Sequence, residues 1–218
     1  MNFVVLSSSR GTTFQAVLDR IADGSLTAAC VGLIADRPDR GCVEKARAGG
    51  VNVSIVEKQE GETREEYDKR LHHVITSFMP SPPAPLPEPV PSRAEGRQER
   101  GVLIAALGWM SILSPWFIQQ WKNKIINVHP ALLPKFGGAG MYGDKVHQAV
   151  LDSGANESGI TIHLMDEGVD TGKILLQKTC PVLPGDTVET LKKRVQALEK
   201  EWYPKMLQMV EDGQLQLK

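Results

Sequence analysis

The sequence predicts a doubly wound α/β domain on a mostly parallel sheet, finished by a C-terminal β-hairpin and a long helix. Three observations carry that prediction. Short apolar runs alternate with amphipathic segments through the first two thirds of the chain. Strands that alternate with helices imply right-handed crossovers and a parallel sheet covered on both faces. The last third changes to two neighbouring strand-like runs, Gly159 to Met165 and Lys173 to Val182, followed by a long helical stripe.

Each element has its own local reason. Phe3 to Leu6 is an apolar run that ends in Ser7-Ser8-Ser9-Arg10-Gly11-Thr12-Thr13, after which Phe14, Val17, Leu18 and Ile21 fall at helical spacing. Ala29 to Ala35 reads as a second buried strand, and a short helix over Cys42 to Ala48 stops at Gly49-Gly50. Val51 to Val56 is a third strand. A helix opens at Thr63 and keeps Tyr67, Leu71, Val74, Ile75 and Phe78 on one face. Val102 to Leu107 and Ile125 to His129 are further strands, with a helix around Pro115 to Trp121 between them. Thr187 begins the final helix, where Val188, Leu191, Val195, Leu198 and Trp202 mark the packed stripe; Pro204 is expected to bend it and Gly213 to end it. Residues 79–100 do not fit the alternation. They hold half of the fourteen prolines and a charged run, so they read as an extended, flexible insertion in a single domain spanning 1–218.

Composition narrows the function. Hydrophobic residues make up 41% and charged residues 23%, enough apolar material for a real core. Lys and Arg total 25 against 26 Asp and Glu, a net charge of −1, which argues against a polybasic nucleic-acid or membrane binder. The longest mainly apolar run, Gly101 to Leu113, is too short to span a bilayer. Met1 to Leu6 lacks the features of a signal peptide and reads as a strand. Three widely spaced cysteines suggest neither a disulfide framework nor a zinc site. The expectation is a cytoplasmic protein.

Three segments can carry chemistry. The loop after the first strand offers helix-start N–H groups, the flexible Gly11 and hydroxyls from Ser8, Ser9, Thr12 and Thr13, a set suited to an anion such as a phosphate. It lacks the three-glycine dinucleotide fingerprint and the GxxxxGK[ST] pattern, so NAD and ATP lose their usual support. Asn127 and His129 lie two apart in a strand and therefore share a face, while Pro130 places them at its carboxyl end, where open α/β sheets bind ligands. An amide that donates to a developing oxyanion beside an imidazole that moves protons suits acyl transfer. The glycine-bearing loop Met165 to Gly172 supplies a carboxylate that could orient the imidazole; Asp166, Glu167 and Asp170 all qualify, and spacing does not choose. His163 shares a strand with the approach to that loop and could line the cleft, whereas His72, His73 and His147 read as ordinary helix residues.

Asn127-Val128-His129-Pro130-Ala131-Leu132-Leu133-Pro134, followed by Asp166-Glu167-Gly168-Val169-Asp170-Thr171-Gly172, resembles the folate-dependent formyltransferases, from Val4 to about Leu215. Within that family the chain is most similar to the branch whose acceptor is phosphoribosylglycinamide. The resemblance implies a formyltransferase-like Rossmann variant. Its implied reaction passes the formyl group of 10-formyltetrahydrofolate, as co-substrate, to the amine of phosphoribosylglycinamide in purine (IMP) biosynthesis, without a metal. It also implies Asn127 as the oxyanion donor, His129 as the proton carrier and Asp170 as the group that raises the histidine pKa. Gly11, Thr12 and Thr13 then form the phosphate loop, with Glu199 near the ribose. Arg64, Met110, Ser111, Ile112, Leu113 and Asn127 meet the folate, and Ala139 to Asp144 resembles a flexible substrate-side loop. The implied partners are small molecules, with no nucleic acid and no membrane, and at most a second copy of the chain as a homodimer.

The departures from the family pattern are local. Ser8-Ser9-Arg10-Gly11-Thr12-Thr13 stands where Ser-Gly-x-Gly-Ser-Asn is common, Ser111 where arginine is common, and the proline-rich insertion has no counterpart. Two other readings are a formyltetrahydrofolate deformylase, which would use water as nucleophile, and a non-catalytic folate-binding protein. Met1 opening directly on a strand speaks against the N-terminal regulatory domain usual in deformylases. An ending at Lys218 without a basic extension speaks against a methionyl-tRNA formyltransferase.

Overall fold

The computed structural model of the protein describes residues 1–79 and 102–217. Apart from Met79, the insertion at 79–100 lies outside the described residues. The elements run β1 (Asn2–Ser7), α1 (Thr12–Ala22), β2 (Ala29–Ala35), α2 (Gly41–Ala48), β3 (Val53–Ile55), α3 (Arg64–Ser77), β4 (Leu103–Ala106), α4 (Pro115–Gln120), β5 (Ile125–His129), α5 (Asp144–Asp152), β6 (Glu157–Leu164), β7 (Ile174–Pro181) and α6 (Val188–Glu211).

The strands form one sheet in the order β3-β2-β1-β4-β5-β6-β7. Pairing is parallel from β3 through β5 and antiparallel for β5–β6 and β6–β7, so the expected hairpin is joined to the edge of the parallel sheet. Period-two alternation assigns side chains to the two faces. Phe3, Val5, Leu103, Ala105 and Ile126 pack under α1, α2, α5 and α6. Val4, Leu6, Ile104, Ala106 and Ile125 pack under α3 and α4. The order in which successive strands are added reverses between β1 and β4, the switch point where the loops leaving two neighbouring parallel strands part and open a crevice.

Local chemistry accounts for most boundaries. Thr63 caps α3 by accepting the Glu66 N–H while the Glu66 carboxylate accepts the Thr63 N–H, a reciprocal capping box. Ser114 caps α4 ahead of Pro115, whose fixed φ suits a first helical turn. The third strand is shorter than its apolar run: Val51 and Val56 flank the ladder, and only Val53–Ile55 pair with β2. Helix α5 emerges from a glycine-rich stretch that hides its start from periodicity; only the placement of His147 on a helix anticipates it. Helix α6 remains helical through Pro204 to Glu211. Beside that proline, the buried Tyr203 hydroxyl donates to the Ile126 carbonyl at 3.0 Å and ties α6 to the middle of β5.

Candidate active site

A cavity of about 710 Å³ opens at the carboxyl ends of β1, β4 and β5. Two loops frame it. Ser7 donates from its hydroxyl to the Leu107 carbonyl at 2.7 Å, and the Ser8 N–H donates to the Gly108 carbonyl at 3.1 Å, which locks the β1 and β4 exits together. Gly11 sits at the N-cap of α1 with φ +72°, and a Cβ there would stand 2.8 Å from Cys42 Cα, so the turn needs glycine on both counts. The serine hydroxyls expected to bind an anion are partly committed to this frame, since Ser9 Oγ accepts the Gly11 N–H at 3.1 Å. Thr12 and Thr13 line the cavity; Gly11 holds the turn behind them.

Strand β5 delivers the pair read from the sequence. Asn127 lies opposite His163 of β6 in the antiparallel ladder, so their side chains emerge on one face. His163 Nδ1–H donates to the Leu164 carbonyl at 2.9 Å, because a carbonyl can only accept. In the neutral ring Nε2 is therefore an acceptor, and Asn127 Nδ2 donates to it at 3.1 Å. That contact fixes the amide with one Nδ2–H still unspent. From the sequence His163 reads only as a residue that could line the cleft, because the cross-strand register that sets it opposite Asn127 is a tertiary fact.

His129 is 3% exposed and wedged between two acceptors. Its Nε2 donates to the Phe136 carbonyl at 2.7 Å, and its Nδ1 faces Asp170 Oδ2 at 3.4 Å. Of the three acidic candidates, Asp170 is the one that reaches the imidazoles. Its Oδ1 also lies 3.6 Å from His163 Nε2, and its Oδ2 accepts the Gly138 N–H at 3.2 Å. Asp166 instead accepts the Gly168 N–H and the Thr171 hydroxyl, closing its own turn. Asp170 holds φ +59°, a left-handed conformation that aspartate tolerates better than most residues. The turn after β5 is pinned by Thr161, which donates to the Ala131 carbonyl at 2.7 Å and accepts the Leu133 N–H at 2.9 Å.

The electrostatics modify one expectation. Burial pulls the His129 pKa below its usual 6.5; Asp170 and the Phe136 carbonyl oppose this without reversing it, and His163 adds to it. Asp170 thus acts in the expected direction, but desolvation wins, and the resting imidazole is neutral at pH 7. Burial also pushes the Asp170 carboxyl up, yet the His163 and His129 rings beside it and the Gly138 N–H together hold it below its ordinary 3.8. A neutral His129 presents an Nδ1 lone pair to a carboxylate oxygen, whereas the imidazolium would satisfy both acceptors. Asp170 and the Phe136 carbonyl therefore offset part of what burial costs a protonated His129.

The two ends of the cavity differ in chemistry. One wall is Met110, Ser111, Ile112 and Leu113, with Met110 and Ile112 each 52% exposed. The other gathers Thr12 and Thr13 at the start of α1 with Lys192, Gln196 and Glu199 along α6. The Thr13 hydroxyl donates to Glu199 Oε2 at 2.9 Å. Burial, opposed by that hydrogen bond and the neighbouring lysines, pushes the Glu199 carboxyl up to about 7. Arg64 is not brought to the wall: it occupies the exposed start of α3, near the buried Asp68 carboxylate. Among the described residues, no cluster of three or more His, Cys, Asp or Glu is arranged to hold a metal. No helix among them is long and apolar enough to cross a membrane.

The Glu199 shift has a testable sign. Its carboxyl takes up protons in the folded chain between the unfolded value near 4.5 and about 7, so the stability this group contributes is full below 4.5 and lost as pH rises through about 7. Glu199→Gln removes that dependence. Thermal melts should show the variant gaining a few degrees on wild type at pH 8 relative to pH 5; parallel melting curves at the two pH values would contradict it.

Comparison with known proteins agrees with this architecture. A formyl transferase family model matches residues 92–207. The phosphoribosylglycinamide formyltransferase of Escherichia coli is 28% identical over 217 residues, covering 100% of this chain and 90% of its own. The trifunctional purine biosynthetic protein adenosine-3 of Bos taurus is 32% identical over 98% of this chain, of which it is only a part: the chain spans 18% of that protein's length. The crystal structure of glycinamide ribonucleotide transformylase 1 from Symbiobacterium toebii superposes with a TM-score of 0.82 at 30% identity, covering 98% of this chain and 88% of that one. On the family match, the shared fold and the near end-to-end similarity, the chain belongs to the formyl transferase family.

Proposed function

We propose that this chain transfers the formyl group of 10-formyltetrahydrofolate to the primary amine of phosphoribosylglycinamide, a step of purine biosynthesis, as one catalytic domain in the cytoplasm. The observation that carries the reading is the cluster of Asn127, His129, His163 and Asp170 between a phosphate-type end and an apolar end of one cavity. A cavity of this volume is within the range of small-molecule sites, toward its upper end, as two ligands meeting in one site require.

In this reading the phosphoribosyl group enters at Thr12, Thr13 and the α1 start held by Gly11, with Glu199 near the ribose. The folate ring system lies along Met110, Ser111, Ile112 and Leu113. Arg64, outside the cavity, is left for the anionic tail of the folate. The amine nitrogen attacks the formyl carbon, a new C–N bond forms, and negative charge grows on the formyl oxygen. The unspent Nδ2–H of Asn127 donates to that oxygen. His129 receives the proton the amine gives up and returns it to N10 of the folate as the old C–N bond breaks. Asp170 stabilises the imidazolium between the two transfers. For this, one His129 nitrogen must exchange its present acceptor for substrate, a tightening that catalytic hydrogen bonds commonly undergo on binding.

The test is an assay with both substrates. Formyl should appear on phosphoribosylglycinamide, with little formate released when the amine is omitted. Formate release that needs no amine would mean a hydrolase, and folate binding with no turnover would mean a binding protein.

A further inference from the structure

His147 is a buried imidazole in the cavity wall, 2% exposed, whose Nδ1 has no hydrogen-bond partner. Native proteins rarely leave a buried polar atom unsatisfied, and an orphan in a ligand cavity marks where a ligand's polar atom belongs. It lies one turn into α5, whose first residue, Asp144, is ion-paired to Lys192 of α6 at 2.5 Å. The groups that act on it electrostatically are Lys192, Asp144 and His129. His147 thus shares one cavity wall with Lys192, of the phosphate-type end, and with His129, of the reacting end.

In phosphoribosylglycinamide the unit between the phosphorylated ribose and the reactive amine is the glycinamide itself. Resting on the formyl-transfer reading above, we propose that His147 hydrogen-bonds the glycinamide unit of the acceptor and orients its amine toward the formyl carbon. Burial and the Lys192 charge, only partly offset by Asp144, hold its pKa at about 4, so the ring stays neutral and offers one donor and one acceptor nitrogen. A base that weak cannot keep a proton from an α-amine, whose conjugate acid ordinarily has a pKa of about 8. Its contact with the amine or amide is therefore an orienting hydrogen bond, and proton carriage stays with His129.

Two variants test this by separating the substrates. His147→Leu removes both ring nitrogens, and His147→Asn keeps a polar atom close to the Nδ1 position. In the leucine variant the KM for phosphoribosylglycinamide should rise about tenfold while the KM for 10-formyltetrahydrofolate stays within about twofold. The asparagine variant should recover most of the loss. If leucine does not fold, His147→Met, apolar and adaptable, makes the same comparison. Acceptor and folate KM moving together, or an acceptor KM that does not move, overturns the inference alone. A wild-type protein that fails to formylate phosphoribosylglycinamide overturns the functional reading and this inference with it.

Discussion

Replacing Asn127 by alanine should lower kcat by about a hundredfold to a thousandfold, with both KM values changed by less than about threefold. The asymmetry follows from what the amide does at rest. One Nδ2–H is spent on His163 Nε2 at 3.1 Å, and the second is free to meet charge that exists only in the transition state. A preorganised donor of that kind is worth about 3–4 kcal/mol of barrier, because it needs no reorganisation when charge develops. Asn127→Asp should do no better than alanine. It keeps the shape but loses the donor and adds a negative charge to a cluster that already contains Asp170. Steady-state kinetics on both variants decide it; turnover within fivefold of wild type would remove Asn127 from the oxyanion role.

Much of this site is legible in the chain because strand periodicity is a local property. Asn127 and His129 share a face by their spacing alone, and Pro130 puts them at a strand end, which is where the cavity lies. The parallel core was legible for the same reason, since runs such as Phe3–Leu6 and the second half of Ala29–Ala35 are apolar and buried on both faces. What stayed hidden depends on register and on competing energies. His163 becomes the partner of Asn127 only because β6 pairs antiparallel with β5 at that offset, and no local pattern states the offset. The choice of Asp170 over Asp166 and Glu167 came from family resemblance rather than spacing. The structure gives a physical reason for it, a left-handed turn that points its carboxylate at two imidazoles. The net pKa of His129 required weighing burial against Asp170, and the sequence names the charge but not the depth. His147 reads as an ordinary helix residue for a related reason: its part emerges only when the cavity and the orphaned nitrogen are seen together.

Asp170→Asn should cost about a hundredfold or more in kcat while leaving the backbone in place. Asparagine accepts the left-handed φ +59° as readily as aspartate, and its side-chain oxygen can still take the Gly138 N–H, so the change is close to a pure removal of charge. Unit charges about 4 Å apart near a protein surface interact by about 4 kcal/mol, and partial compensation by solvent still leaves a hundredfold effect on an imidazolium formed during turnover. The pH dependence carries the diagnostic sign. Burial already holds the His129 pKa below 6.5, and Asp170 is the charged group opposing that fall, so its removal moves the pKa further down. Because the neutral ring is the competent resting form, activity in wild type rises with pH through the depressed His129 value. In the variant that inflection should shift to lower pH as the plateau drops. Stability moves consistently with this. The unfolded chain protonates His129 before the folded one does, so folding weakens as pH falls below 6.5. The depressed Asp170 carboxyl adds stability that is present above 3.8 and lost as pH falls through its folded value, and the asparagine variant lacks that second loss. A kcat–pH profile whose inflection stays fixed or climbs in Asp170→Asn would mean that the carboxylate only places the ring, and that charge stabilisation of His129 is not how it acts.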